Sequence, residues 1–130
     1  MNKVNTLKDV GLDYLALGQT TSSMSGGEIQ RLKLASHLKK QGQIYILDEP
    51  SLGLHMRDNQ KLLDLFQSFV KRGNSVIIIE HNLDFIASSD WIIELGPEGG
   101  AKGGYIIFQG TPEDMIMANT TTAKWLREYI

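Results

Sequence analysis

The sequence predicts an α/β fold: a parallel sheet core with flanking helices and an antiparallel edge ribbon near the C-terminal end. Three observations point there. Two uninterrupted apolar runs, Ile44–Leu47 and Val76–Ile79, have strand length and strong β-branching, and read as strands covered on both faces. Between them, Leu62, Leu63, Leu65, Phe66, Phe69 and Val70 recur at helical spacing from His55 to Arg72. Strand, crossover helix and strand then imply a right-handed βαβ unit, and hence a parallel pair.

The remaining elements follow in chain order. From Thr6 to Leu17 the apolar positions suggest a short helix interrupted near Gly11, followed by a polar loop from Gly18 to Met24. Ser25-Gly26-Gly27-Glu28 opens a second helix with a Ser-x-x-Glu capping box. Its buried stripe is Ile29, Leu32, Leu34, Ala35 and Leu38, and Gln41-Gly42 ends it. After the βαβ unit come a short helix over Leu83–Ser88 and a strand over Trp91–Leu95. A glycine-dense turn, Gly96–Gly104, leads to a last strand at Tyr105–Gln109, and the two strands form the antiparallel ribbon. Thr111 caps a final helix with Pro112 in its first position; it lies between Glu113 and Tyr129, with a break near Asn119–Thr122. Trp91 and Trp125 read as packing residues, and His55 as a helix start.

Composition bounds the function. The chain has 130 residues, 42% hydrophobic and 22% charged, the profile of one globular domain. It contains no cysteine, which excludes disulfides and a thiolate zinc site within these residues and suits a cytoplasmic location. The apolar runs are too short to cross a bilayer, and Met1–Lys8 is polar rather than signal-like. A formal charge of −2 argues against a bulk electrostatic nucleic-acid binder. Arg31, Lys33, Lys39 and Lys40 form a local basic cluster, read as the solvated face of a helix.

Two constellations carry chemistry. The run Ile44–Leu47 delivers Asp48-Glu49-Pro50 to the C-terminal edge of a strand, where α/β sheets bind ligands. Asp48 suits Mg²⁺, a hard ion that prefers oxygen, and Glu49 suits the activation of a water against a γ-phosphate. Alternatively the two acids mark a strand exit that Pro50 stops. Ser25-Gly26-Gly27-Glu28 places paired glycines at a helix N-terminus, where free amides and the helix dipole favour a phosphate. A capping box explains Ser25 and Glu28 but not the glycines, each of which costs the helix about 1 kcal/mol relative to alanine.

Together these residues resemble the ABC ATPase family, and the chain resembles the C-terminal half of an ABC-type P-loop ATPase domain. Ser25-Gly26-Gly27-Glu28 is similar to the signature motif, and Ile44–Glu49 to Walker B with its catalytic glutamate. Ser51-Leu52-Gly53-Leu54-His55 is similar to the D-loop, and His81 to the switch histidine. Glu80-His81-Asn82-Leu83-Asp84, Asp90–Gly100 and Gly110-Thr111-Pro112-Glu113 are similar to the UvrA-like branch rather than to transporter cassettes, which usually carry threonine before the switch histidine. The resemblance implies ATP and Mg²⁺ as cofactors, with Glu49 and His81 catalytic and Ser25, Gly26, Gly27, Glu28, Asp48 and Gly53 around the nucleotide. It implies DNA and a UvrB-like repair protein as partners, no membrane, and a homodimer for the whole protein. Met24 stands where leucine is usual, a volume-conserving change. The D-loop is closer to the family's first cassette and the tail to its second, which points to a UvrA-like paralogue tied to resistance against DNA-binding compounds as an alternative to the repair protein.

No stretch supplies the Gly-x-x-x-x-Gly-Lys-Ser/Thr of a Walker A loop. Gly99–Gly104 is the one near match, and it reads as a flexible turn. The glutamine loop is absent as well. The expectation is a partial domain over residues 1–130 that contributes to two composite ATP sites, completes neither without the rest of its chain or the opposite cassette, and is inert alone. The competing expectations are a transporter's nucleotide-binding subunit and a non-catalytic scaffold with the cassette fold.

Overall fold

The computed structural model describes residues 7, 12, 14–16, 18–37, 41–96 and 103–130. Most of the first expected helix, together with Leu38, Lys39, Lys40 and the turn over 97–102, lies outside them. Contacts gather the chain into two units, Met1–Glu80 and His81–Ile130.

In the first unit a 3-10 turn, Thr21–Ser23, precedes helix α1, Gly26–His37. Strand β1, Ile44–Asp48, helix α2, Met56–Lys71, and strand β2, Ser75–Ile79, form the expected βαβ sequence. The strands pair in parallel, from Ile44 opposite Ser75 to Asp48 opposite Ile79. Strand alternation puts Tyr45, Leu47, Val76 and Ile78 on one face. Helix α2 packs there through its stripe of Leu62, Leu63, Leu65, Phe66 and Phe69, and the Phe69 ring stacks on Tyr45 at 4.8 Å. His55 caps α2, its Nδ1 accepting from the Arg57 amide at 3.3 Å. Beyond α2, buried Asn74 accepts from the Gln43 amide and donates to the Phe69 carbonyl, each at 3.0 Å, and so fixes where both strands begin.

The expectation that both strands are covered on both faces holds for one face only. Ile44 and Ile46 are each 70% exposed, and Ile77 and Ile79 are also exposed. An apolar run reports surface able to be buried; whether cover is present depends on elements elsewhere. The stripe expected for α1 is graded too: Leu34 is buried, whereas Ile29, Leu32 and Ala35 are half-buried.

The second unit holds helix α3, Leu83–Ala87, strands β3, Ile92–Gly96, and β4, Tyr105–Gly110, and helices α4, Pro112–Ile116, and α5, Thr121–Tyr129. The strands form the expected antiparallel ribbon, with a bulge between Glu94 and Leu95. Thr111 and Asp114 make a full capping box at α4, and Thr120 caps α5, so the last helical stretch is broken as expected. Met115, Ala123 and Leu126 are fully buried, with Leu83, Ile86, Ile92 and Phe108 packed against them. Trp91 and Trp125 are more than half exposed, which corrects their reading as packing residues. Trp125 lies two residues from Ala123, about 200° round the helix and away from the buried side.

Candidate phosphate-facing site

Helix α1 begins as its sequence dictates. The Ser25 hydroxyl accepts from the Glu28 amide at 3.3 Å, and the Glu28 carboxylate accepts from the Ser25 amide at 2.6 Å. Tyr14 donates its phenolic hydrogen to the other oxygen of Glu28. Those bonds, Tyr14's first, hold the Glu28 carboxyl below the usual carboxylate range, while partial burial and the facing carboxylate raise the Tyr14 phenol. The Ser25 oxygen accepts from inside the helix while its side chain also bonds the Glu28 carboxylate, so the serine is fixed at both ends of the cap.

The two glycines have different reasons to be glycine. A Cβ on Gly26 would meet nothing within 4 Å. A Cβ on buried Gly27 would stand 3.0 Å from the Leu52 carbonyl oxygen, 3.3 Å from the Arg31 guanidinium and 3.7 Å from the Glu49 carbonyl oxygen. Gly26 keeps an open face at the helix start. Gly27 lets α1 lie against the turn that follows β1.

That turn begins at Asp48, exposed at the end of the strand. Glu49 adopts the left-handed conformation, φ 45°, which costs an L-residue about 1–2 kcal/mol. Its amide donates to the Ile79 carbonyl at 2.9 Å and its carbonyl accepts from the Leu52 amide at 3.0 Å, so it extends the parallel ladder while reversing the chain. Pro50 is fully buried, and Gly53, exposed at φ 76°, completes the turn. Asp48 and Glu49 therefore sit at the same strand end, and Ser25, Gly26, Gly27 and Glu28 sit at the helix end packed against it. His81 is exposed and opens the second unit directly after Glu80.

Arg31 corrects the solvated-face reading of the basic cluster. It is fully buried, and its Nη1 donates to the Pro50 carbonyl at 2.6 Å and the Leu52 carbonyl at 3.4 Å. Lys33 is exposed as expected, and Lys39 and Lys40 lie outside the described residues. Glu80 accepts from the Ser51 amide at 2.8 Å. Sequence reasoning missed Arg31, Glu80 and Tyr14 as parts of the site. A signal existed for Arg31, which is four residues beyond Gly27 and hence on the same helix face. Among the described residues no group of three or more His, Cys, Asp or Glu side chains could hold a metal, and no helix is long and apolar enough to cross a membrane.

A glycine-opened helix start laid against the turn after a paired acidic strand end defines a segment of an ATP-binding-cassette ATPase. The family pattern described as ABC transporter matches residues 2–52. Within that class the chain belongs to the UvrA group. It is 52% identical over 132 residues to UvrABC system protein A of Aquifex aeolicus (strain VF5), covering 98% of this chain and 14% of that protein. Its identity to UvrABC system protein A of Mycobacterium bovis (strain ATCC BAA-935 / AF2122/97) is 54%, with 98% and 14% covered. The crystal structure of UvrA2 from Deinococcus radiodurans matches with a TM-score of 0.90 and 40% identity, over 98% of this chain and 16% of that one. A bacterial Atm1-family ABC exporter with ATP bound matches with a TM-score of 0.66 and 26% identity, over 98% and 23%. The chain spans about 14% of the length of these curated relatives.

Proposed function

We propose that this chain supplies the signature, Walker B, D-loop and switch-histidine part of the ATP site in a UvrA-like DNA-damage-recognition ATPase, as a partial cassette domain over residues 1–130. The observation that carries the reading is the docking of the α1 start, through Gly27, onto the turn that Asp48 and Glu49 begin. The residues fit a nucleotide phosphate: Gly26 leaves an open approach, and the helix amides of Gly26 and Gly27 lie outside the helical ladder. Exposed Asp48 offers hard oxygens, and among the described residues it belongs to no group of three or more metal-ligating side chains. That suits Mg²⁺, which takes one or two carboxylates and completes its shell from phosphates and water.

On this reading the bound Mg-ATP supplies the phosphoryl group and its leaving-group charge is neutralised by the metal. Ser25 and Gly26 grip a phosphate held by an opposite cassette, with Glu28 fixing the serine. Asp48 would hold the metal of its own cassette, Glu49 would orient and deprotonate the attacking water, Gly53 would shape the D-loop, and His81 would contact the γ-phosphate. The phosphate loop comes from a segment outside these 130 residues. DNA, a UvrB-like repair protein, homodimerisation and cytoplasmic location belong to the same proposal for the whole protein. The higher identity to UvrA than to the exporter supports the repair branch over a transporter subunit.

Calorimetric titration of Mg-ATP tests this. The chain alone is expected to give no binding heat. With a Walker-A-bearing cassette segment added, binding appears, and Ser25→Ala or Asp48→Asn abolishes it. Tight binding by the chain alone, or binding in the mixture indifferent to both substitutions, overturns the reading.

A further inference from the structure

Three consecutive residues of the turn after Glu49 are each held at their backbone by a charged side chain from outside it. Arg31, on α1, donates to the carbonyls of Pro50 and Leu52. Glu80, at the end of β2, accepts from the amide of Ser51 between them. Arg31 is 0% exposed, and its Nε and Nη2 have no hydrogen-bond partner among the described residues. A guanidinium stripped of water with two nitrogens unsatisfied is a poor way to stabilise a core, where a neutral side chain of similar volume does better. What the neutral residue is unable to do is grip two carbonyls of one turn with a single planar group.

The grip has a use at Glu49. A non-glycine residue in the left-handed region persists only where its surroundings over-determine it. Gly27 brings α1 into contact with the same turn, and Arg31 and Glu80 bind it from two sides. Arg31 also lies close enough to Glu28 and Tyr14 to favour the ionised form of both, so one charge cluster runs from the cap of Ser25 to the carbonyl of Pro50.

We infer that Arg31 and Glu80 are positioning residues that bind the α1 start and the turn Glu49–Leu52 into one rigid body. Phosphate contact at Ser25 and Gly26 and the aim of the Glu49 carboxylate are then set together. This rests on the ATPase reading for its consequence, but the clamp itself is a property of the chain.

Amide hydrogen exchange in the 130-residue chain tests the clamp first. The Leu52 and Leu54 amides, bonded to the Glu49 and Ser51 carbonyls, report the turn, and interior amides of α2 report the rest. In Arg31→Lys and Glu80→Gln the turn amides are expected to exchange about tenfold faster or more while α2 amides hold their rates, the pattern of local opening. If Arg31→Lys loosens α2 as well, Glu80→Gln decides alone. Turn amides unchanged in Glu80→Gln and in a folded Arg31→Lys overturn the inference.

ATP turnover by the chain mixed with a Walker-A-bearing cassette segment gives the second arm. Both variants are expected to lower kcat about tenfold with KM nearly unchanged, the mark of lost alignment rather than lost binding. Turnover by wild type that both variants match overturns the positioning role. No turnover by the wild-type mixture instead overturns the ATPase reading, and the exchange result still judges the clamp.

Discussion

Replacing the adjacent glycines one at a time separates their two purposes. Both lie in the first turn of α1, where alanine is the better helix former by about 0.5–1 kcal/mol. For Gly26→Ala nothing opposes that gain, since the new methyl meets no atom within 4 Å and the backbone needs no positive φ. The variant should be more stable by up to about 1 kcal/mol. For Gly27→Ala the methyl arrives 3.0 Å from the Leu52 carbonyl oxygen, closer than ordinary contact. That oxygen is not free to move, because its turn is tied to Arg31 and Glu80. Overpacking of this kind costs about 1–3 kcal/mol and outweighs the helix gain. The two variants should thus differ by about 1–3 kcal/mol in opposite directions from wild type. Urea unfolding followed by circular dichroism reads this as midpoints shifted to either side at a common slope. Equal midpoints, or a Gly27→Ala variant more stable than wild type, would refute the close approach on which the site is built.

Asn74→Ala should cost about 2 kcal/mol, because it orphans the Gln43 amide and removes a donor from the Phe69 carbonyl at a buried position; chemical denaturation checks it, and a cost near zero would mean that neither bond matters. The depressed carboxyl of Glu28 gives the cap a pH dependence. A carboxylate whose folded pKa lies below its unfolded value, about 4.3, adds stability that is fully present above about pH 5 and is lost as pH falls through the folded pKa. The stability gap between wild type and Glu28→Gln should therefore shrink on acidification from pH 7 to pH 3, and a gap that widens would contradict the bonding at Ser25.

Much of the architecture was legible in the residues. The runs at Ile44 and Val76, the stripe from Leu62 to Phe69, and the caps at Ser25 and Thr111 each rest on local rules of period and hydrogen bonding, and the two strands and the helix between them formed within a residue or two of their expected bounds. The positions of Asp48 and Glu49 were legible for the same reason, since a strand fixes what stands at its end. Arg31 was not, because a cation on a helix is normally solvated. Its burial follows from where the Pro50 and Leu52 carbonyls point, and those belong to a turn nineteen and twenty-one residues away. Nor did the sequence distinguish Gly26 from Gly27, which have the same composition and the same helix turn but different neighbours.

The sequence by itself therefore determined the elements, their order and which residues stand at their ends, because these depend on interactions within a few residues. Only the tertiary structure decided which face of β1 and β2 is covered, which glycine is packed and which is open, and that a buried arginine and a glutamate hold the turn beside Glu49. Those depend on distances between segments remote in sequence, and local pattern carries no record of them.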